Sequence, residues 1–429
     1  MSAHGARAGE FAVGWKALTA AVVGVACGAS PVPFNVLPLV MGPIHATLGW
    51  DFADISAGMM IFGVIASLLA PVFGALADRF GVRLVALASL AAFTVTFASL
   101  YFTPASVGGY WALWALLGVV GIGSTPVTFS RAISIWFYRN RGLALAIMLL
   151  GTSAAAFVVP QLAQSAIGWG GWRLAFPVVA LLPLLLALPL CLAWFREPRP
   201  DERPAGISDE RGQLAGMTLA QAVRGYRFWL LLTVVFLVAF AYAGAHIHIA
   251  EIVELHGFAP RVAAGALGII ATGILASRLF IGYLFDRVWA PAVACPALLL
   301  SGLGCWLLTG TSPSLTRIVI GAFLIAFSAG AESDVIAFFA AKYFGMAHYG
   351  RIYGLLYLAF GIGASLSPVA YGMVRDRTGR YDEILMMALV MFLATGGALL
   401  ALGRYPVLER DPAATLQAMP ASRTEALGS

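Results

Sequence analysis

Twelve stretches of this chain run for about twenty residues with almost no Asp, Glu, Lys or Arg. That is the length an α-helix needs to cross the hydrocarbon core of a bilayer. They cover residues 17–41, 55–77, 84–102, 109–137, 142–167 and 174–195, then 228–250, 262–285, 288–309, 318–341, 352–374 and 384–402. In hydrocarbon no water satisfies backbone N–H and C=O groups, so each run is predicted to be a helix. Composition agrees: 61% of the 429 residues are hydrophobic and 11% are charged, against roughly 25% charged in a soluble domain. The predicted fold class is an all-α membrane protein of twelve transmembrane helices in two pseudo-symmetric six-helix halves.

The runs divide six and six about a charged, proline-containing segment. Residues 1–195 form the expected N-terminal half, 196–227 a linker loop, and 228–429 the C-terminal half with a short tail. Gly74-Ala75-Leu76-Ala77-Asp78-Arg79 follows the second run, and Gly282-Tyr283-Leu284-Phe285-Asp286-Arg287 follows the eighth. Gly142 with Gly151, and Gly354 with Gly363, open the fifth and eleventh runs with equal spacing. Duplicated halves of this kind build secondary transporters, whose substrate sites lie near the midplane between them. Most of the 26 Lys and Arg residues fall on one side if both termini lie inside, which predicts cytoplasmic termini and linker. The net charge of +6 is therefore read as membrane topology, not as nucleic-acid binding. Arg375, Arg377 and Arg380 run against that bias. Cys27, Cys191, Cys295 and Cys305 all lie in apolar runs without metal or CxxC spacing. Gly24-Val25-Ala26-Cys27 imitates a lipoprotein cleavage site, but the apolar run continues beyond it, so a retained first helix is expected.

Gly74-x-Leu76-x-Asp78-Arg79-x-Gly81-x-Arg83 matches the signature between helices 2 and 3 of the major facilitator superfamily, which the chain resembles over essentially residues 15–405. Further patches resemble its bacterial monocarboxylate-porter and oxalate/formate-antiporter branch. They are Gly28-x-Ser30-Pro31 through Phe34, Arg141-Gly142-x-Ala144, Gly171-Trp172-Arg173, Arg278-x-x-x-Gly282 and Tyr349-Gly350-x-Ile352-Tyr353-Gly354. The resemblance implies a transporter in an inner (plasma) membrane, with Asp78, Arg79, Asp286 and Arg287 latching the halves together rather than touching substrate. His248 matches a position often histidine in this branch. The chain departs from the branch in lacking a lysine well inside helix 1 or helix 11, its two lysines being Lys16 and Lys342, and in placing Ile274 where animal carriers have an aspartate.

Ionisable residues inside a membrane cost on the order of 2.5–3.5 kcal/mol each on insertion scales, so each needs a partner or a cavity. Arg131, Arg278, Glu332 and Asp334 qualify. Arg278 is the expected anchor for a substrate carboxylate, because a guanidinium fork accepts one bidentately; the plain alternative is a permanent pair with a helix 10 acid. Glu332 or Asp334 is the expected proton-coupling acid, or else a fixed counter-ion of Arg278. Arg131 lies on a polar stripe with Ser124 and Thr128 and reads as a gate cation or a packing arginine; Lys342 occupies the matching depth in the other half. Asn35, between Pro31 and Pro38, is placed along the substrate path with His248 and Tyr357. The histidine is alternatively part of a polar cap with His246, Glu251 and His256, and the tyrosine part of an aromatic packing row with Tyr353 and Phe360.

The expected function is proton-coupled carriage of a small organic anion, most simply a monocarboxylate, by alternating access. No cofactor and no metal is called for; the expected partners are the carboxylate, protons and the bilayer, and the chain is expected to act as a monomer. A drug/proton antiporter of the same fold is the rival, but such exporters resemble one another in a Gly-Pro-x-x-Gly-Gly patch, where this chain has Val159-Pro160-Gln161-Leu162-Ala163-Gln164. A transporter-derived sensor would ordinarily carry an added soluble domain. An enzyme finds no support, since Gly361-x-Gly363 lies in a membrane run without a preceding strand. A cysteine placed at Ala205 should resist impermeant labelling from outside intact cells and react after permeabilisation; external labelling would reverse the topology.

Overall fold

The computed structural model describes residues 9–200, 202–204, 214–258, 260–310 and 314–406, without the side chains of 52–53, 250, 260–268, 270–271, 327–335 and 376. Ala205 and the side chains of Glu332 and Asp334 lie outside the described residues. The first span is split into α1 (Glu10–Ala26) and α2 (Val32–Leu48); α3 (Phe52–Phe80) and α4 (Val82–Ser99) follow. The fourth span is α5 (Val107–Gly121) plus α6 (Pro126–Trp136), the fifth is α7 (Arg141–Gly170), and the sixth joins α8 (Ala175–Leu182) to α9 (Leu188–Trp194). After a short α10 (Leu219–Arg224), the seventh span is α11 (Tyr226–Ile247), extended by α12 (Ile249–Leu255). The remaining helices are α13 (Pro260–Phe285), α14 (Ala290–Leu307), α15 (Leu315–Phe344), α16 (Tyr349–Thr378) and α17 (Asp382–Leu400).

Nine described segments are long and apolar enough to cross a membrane. The first, eighth and tenth spans register as shorter apolar segments, Val32–Leu48, Thr272–Phe285 and Leu315–Ala326, which completes the expected twelve. Large apolar side chains cover the outside: Val95, Phe157 and Trp169 are 70%, 75% and 73% exposed. Continuous apolar surface of this kind is at home in lipid and would aggregate a soluble monomer. Among the described residues the sole β pairing is an isolated antiparallel bridge between Gly216 and Gly345.

The breaks follow from proline and glycine. Pro31 and Pro33 carry no N–H, and Pro126 opens α6 after a 3-10 turn over Ile122–Ser124. The two breaks face each other. Ala29 N–H donates to Ser124 Oγ at 3.1 Å, and that hydroxyl donates to the Gly121 carbonyl at 2.7 Å. Ala29 and Ser124 are both fully buried, so the interrupted backbone is satisfied inside protein and not against lipid.

The halves meet where small residues let backbones touch. A Cβ on Gly74 of α3 would overlap the carbonyl of Gly350 in α16; one on Gly142 of α7 would overlap the carbonyl of Gly282 in α13. The structural counterpart of Gly142 is thus Gly350. Gly354 lies one turn deeper, against Ala70 and Pro71, and Ala146 takes the equivalent place against Gly282. Both crossings lie at the end of the bundle that carries the linker. There Met217 N–H donates to the Phe344 carbonyl and Met346 N–H to that of Ala215, each at 2.8 Å, so the linker threads across the turn before α16.

Gly350→Val should force this end apart, at a cost of about 1–3 kcal/mol if the halves stay closed. Spin labels at the exposed Phe80 and Val288 should then report a longer distance population; an unchanged distribution would show the crossing to be slack.

Candidate functional site

The linker end is closed by two carboxylates that cap helices in the opposite half. Asp78, in the last turn of α3, accepts from the N–H groups of Gly350 and Arg351 at 2.9 and 3.0 Å. Asp286, just past α13, accepts from Gly142 and Leu143 at 2.7 and 3.0 Å. Each reaches free donors of a helix N-terminus, where backbone N–H groups and the helix dipole favour an anion. Burial pushes the Asp286 carboxyl up, against the backbone bonds from Leu143 and Gly142.

A cation accompanies each carboxylate. Arg131 of α6 is 5% exposed; it bonds Asp78 through Nη1, donates through Nε to Glu197 at 2.9 Å, and reaches the Met346 carbonyl at 3.4 Å. Lys342 of α15 acts electrostatically on Asp286 and stands 4.9 Å from the centroid of the Tyr138 ring. Arg79 and Arg287 are exposed and lie over Phe80 and Tyr283, with the guanidinium of Arg287 3.5 Å from its ring centroid. The capping is thus made by the aspartates of the repeated motif, while its arginines lie on neighbouring rings.

Three further groups join this region, of which Glu10 and Glu197 were not singled out by their sequence positions. Glu10, opening α1, accepts from the N–H groups of Tyr138, Arg139 and Asn140 at 2.9–3.0 Å and from Asn140 Nδ2 at 3.1 Å. Glu197 holds the second face of Arg131. Arg141, fully buried, donates from Nε and Nη2 to the Ser134 carbonyl at 3.2 and 2.9 Å. Glu10 and Glu197 lie beside apolar runs as ordinary flanking charges; only the fold gives them four donors and a guanidinium.

Further into the bundle, Arg278 of α13 crosses between the halves. Its Nη1 donates to the Leu149 carbonyl at 2.9 Å and to Thr152 Oγ1 at 2.8 Å, both on α7. Among the described residues its buried Nε has no hydrogen-bond partner. Glu332 and Asp334 belong to α15, which packs on α13. Asn35 lies in the first turn of α2 and donates both its backbone N–H, at 3.1 Å, and its Nδ2–H, at 2.8 Å, to the Pro31 carbonyl. On α16 the rings of Tyr349, Tyr353 and Tyr357 stack with centroids 5.6 and 6.0 Å apart, and Phe360 adds a tilted contact at 5.3 Å from Tyr357.

His248 is not beside Arg278's α7 contacts but at the opposite end of the bundle, at the junction of α11 and α12. Its Nε2 meets the Pro368 carbonyl at 3.1 Å and its Nδ1 the Tyr381 hydroxyl at 2.9 Å. Among the described residues no group of His, Cys, Asp and Glu is arranged to hold a metal ion.

Replacing Asp78 by Asn should weaken linker-end closure more than replacing Asp286 by Asn. Each loses a charged acceptor for two N–H groups, worth about 1.5–3 kcal/mol per bond, but Asp78→Asn also breaks a buried ion pair with Arg131. Thermal melting of the two variants in detergent checks the order.

A family model described as the Major Facilitator Superfamily matches residues 22–368. Monocarboxylate transporter 11 of Homo sapiens is 27% identical over 343 residues, which cover 74% of this chain and 68% of that protein. Two solved structures share the fold. The E. coli fucose:proton symporter FucP superposes with a TM-score of 0.69 at 13% identity, covering 91% of this chain and 98% of that one. The human organic anion transporter MFSD10 gives a TM-score of 0.69 at 16% identity, covering 92% and 100%. With two six-helix halves closed on each other by reciprocal aspartate caps, and a family match across most of its length, the chain belongs to the Major Facilitator Superfamily of membrane transporters.

Proposed function

We propose that this transporter carries a small monocarboxylate together with a proton by alternating access. The observation that carries the reading is the Arg278 guanidinium. It spans the junction of the halves, and its contacts among the described residues are a carbonyl and a hydroxyl, both neutral. A carboxylate is the better acceptor for that fork, in charge and in shape. Similarity to Monocarboxylate transporter 11 supports the same substrate class. One such cation suits one carboxylate better than two, and Asn35 and Tyr357 are assigned to the walls of the path. The linker end, with both termini, is assigned to the cytoplasmic side of an inner membrane. Closure there leaves access from the opposite face.

Coupling is assigned to Asp334 or Glu332 on α15. In the empty carrier Arg278 holds the acid ionised, because a cation within about 4–6 Å lowers a carboxyl pKa. A substrate carboxylate that takes the guanidinium leaves the acid desolvated and unpaired, so its pKa rises and it binds a proton. Substrate and proton then promote each other's binding by one shared coupling energy. Asp78, Arg79, Arg131, Asp286 and Arg287 are assigned to gating, and the capped aspartates must release their helices when the linker end opens.

Uptake into proteoliposomes under an imposed pH gradient tests the scheme. Wild-type protein should accumulate a monocarboxylate better than oxalate. Arg278→Lys should lower the rate by roughly 10–100-fold, the equivalent of losing about 1.5–3 kcal/mol of charged hydrogen bonding. An Asp334→Asn/Glu332→Gln double variant should retain exchange and lose gradient-driven accumulation. Wild-type uptake indifferent to the gradient, or full accumulation by the double variant, would defeat it.

A further inference from the structure

At the end opposite the linker, four groups from four elements form a hydrogen-bonded chain. Pro368 of α16 offers its carbonyl to His248 Nε2 at 3.1 Å, and His248 Nδ1 lies 2.9 Å from the hydroxyl of Tyr381, which precedes α17. That hydroxyl lies 2.6 Å from Oε2 of Glu251 in α12. The histidine stands at the junction of α11 and α12, with the ring of Tyr371 stacked on it at 6.1 Å and 8°.

Hydrogen counting constrains this chain. A carbonyl only accepts, so Nε2 must carry a hydrogen. The Nδ1–hydroxyl link needs a second hydrogen and the hydroxyl–carboxyl link a third. A neutral imidazole supplies one, the phenol one, and a carboxylate none. All the links are made together only when one more proton is bound. We propose that His248, Tyr381 and Glu251 form a proton-binding site, loaded in this conformation, in which the added proton sits on His248 Nδ1.

The surroundings favour that position over the carboxyl. Glu251 Oε1 accepts from Arg375 Nε at 2.7 Å. The Tyr381 hydroxyl, and then Arg375, hold the Glu251 carboxyl below the usual carboxylate range. Tyr381 therefore donates to Glu251 and accepts from an imidazolium, whose positive charge stands 3.8 Å from Glu251 Oε2. The other described ionisable groups near the site have partners of their own or face outward. From α16, Tyr371 donates to the Ala241 carbonyl at 3.0 Å; from α11, His246 is bonded to Tyr242 at 2.7 Å. Arg380 pairs with Asp382 at 2.7 Å, and Glu254 on α12 is exposed. The side chains of Asp376 on α16 and Arg261 on α13 lie outside the described residues.

The loaded chain ties the junction in the seventh span to α16 and to the start of α17. Loss of the proton must leave one link unmade, so occupancy by a proton sets how firmly α12 is seated. Gain or loss of that proton therefore links this face of the transporter to the pH it meets. The site lies apart from Arg278 and the α15 acids, and it does not depend on which anion is carried.

Nitrogen NMR of 15N-histidine-labelled transporter in lipid bilayers tests the assignment, with the His248 signals identified by their loss in His248→Gln. At pH 7 wild-type His248 should show both ring nitrogens protonated. Glu251→Gln should make it neutral at the same pH, because the amide N–H supplies the hydrogen that the carboxylate lacks and the links survive without the extra proton. A singly protonated His248 in the wild type, or an imidazolium that persists in Glu251→Gln, would overturn the proposal.

Discussion

Two carboxylates, each accepting from two backbone N–H groups at the start of a helix in the opposite half, hold the linker end shut. Everything else at that end depends on how closely the helices can approach for those bonds to form. Gly74 against Gly350, and Gly142 against Gly282, remove the Cβ atoms that would keep the backbones apart. Because the bonds run from side chain to backbone, they need no matching side chain on the partner helix. They also break as units: moving one helix N-terminus away removes both bonds to its aspartate at once.

The bilayer imposes the second constraint, that no polar group be left facing hydrocarbon. The breaks in the first and fourth spans satisfy it by pairing with each other through Ser124. Arg131 satisfies it with Asp78 and Glu197. Among the described residues Arg278 has neutral acceptors on α7 and a buried Nε without a hydrogen-bond partner. That partly satisfied guanidinium, at the junction of the halves, is the ground on which a carboxylate substrate is proposed for it. The two ends of the bundle therefore differ in character. One is locked by caps, whereas the other carries a hydrogen-bonded chain whose completion depends on a proton.

Much of this was legible from residue order. Charge-free runs of about twenty residues determine helices, because lipid leaves the backbone no other way to satisfy its hydrogen bonds. The duplicated GxLxDR segments announced two equivalent halves. The isolated charges Arg131 and Arg278 stood out because burying a charge is costly. Glu10 and Glu197 gave no such signal, since a glutamate at the end of an apolar run is ordinary. The linker's pairing with residues 344–346 was equally hidden, because those segments are distant in the chain and neither resembles a strand.

The sequence by itself thus determined the membrane, the number of spans, the family resemblance and which intramembrane charges needed explanation. These are local properties: each can be read within one helix length, from composition and from the free energy of placing that segment in lipid. Only the tertiary structure decided that Gly142 answers Gly350, that the motif's aspartates cap helices while its arginines lie over Phe80 and Tyr283, and that Thr152 receives Arg278. It also decided that His248, Tyr381 and Glu251 share a chain short of one hydrogen. Such facts are distances between atoms on different helices, fixed by the rotation and depth of each helix against its neighbours. Helical periodicity within any one segment carries no information about them.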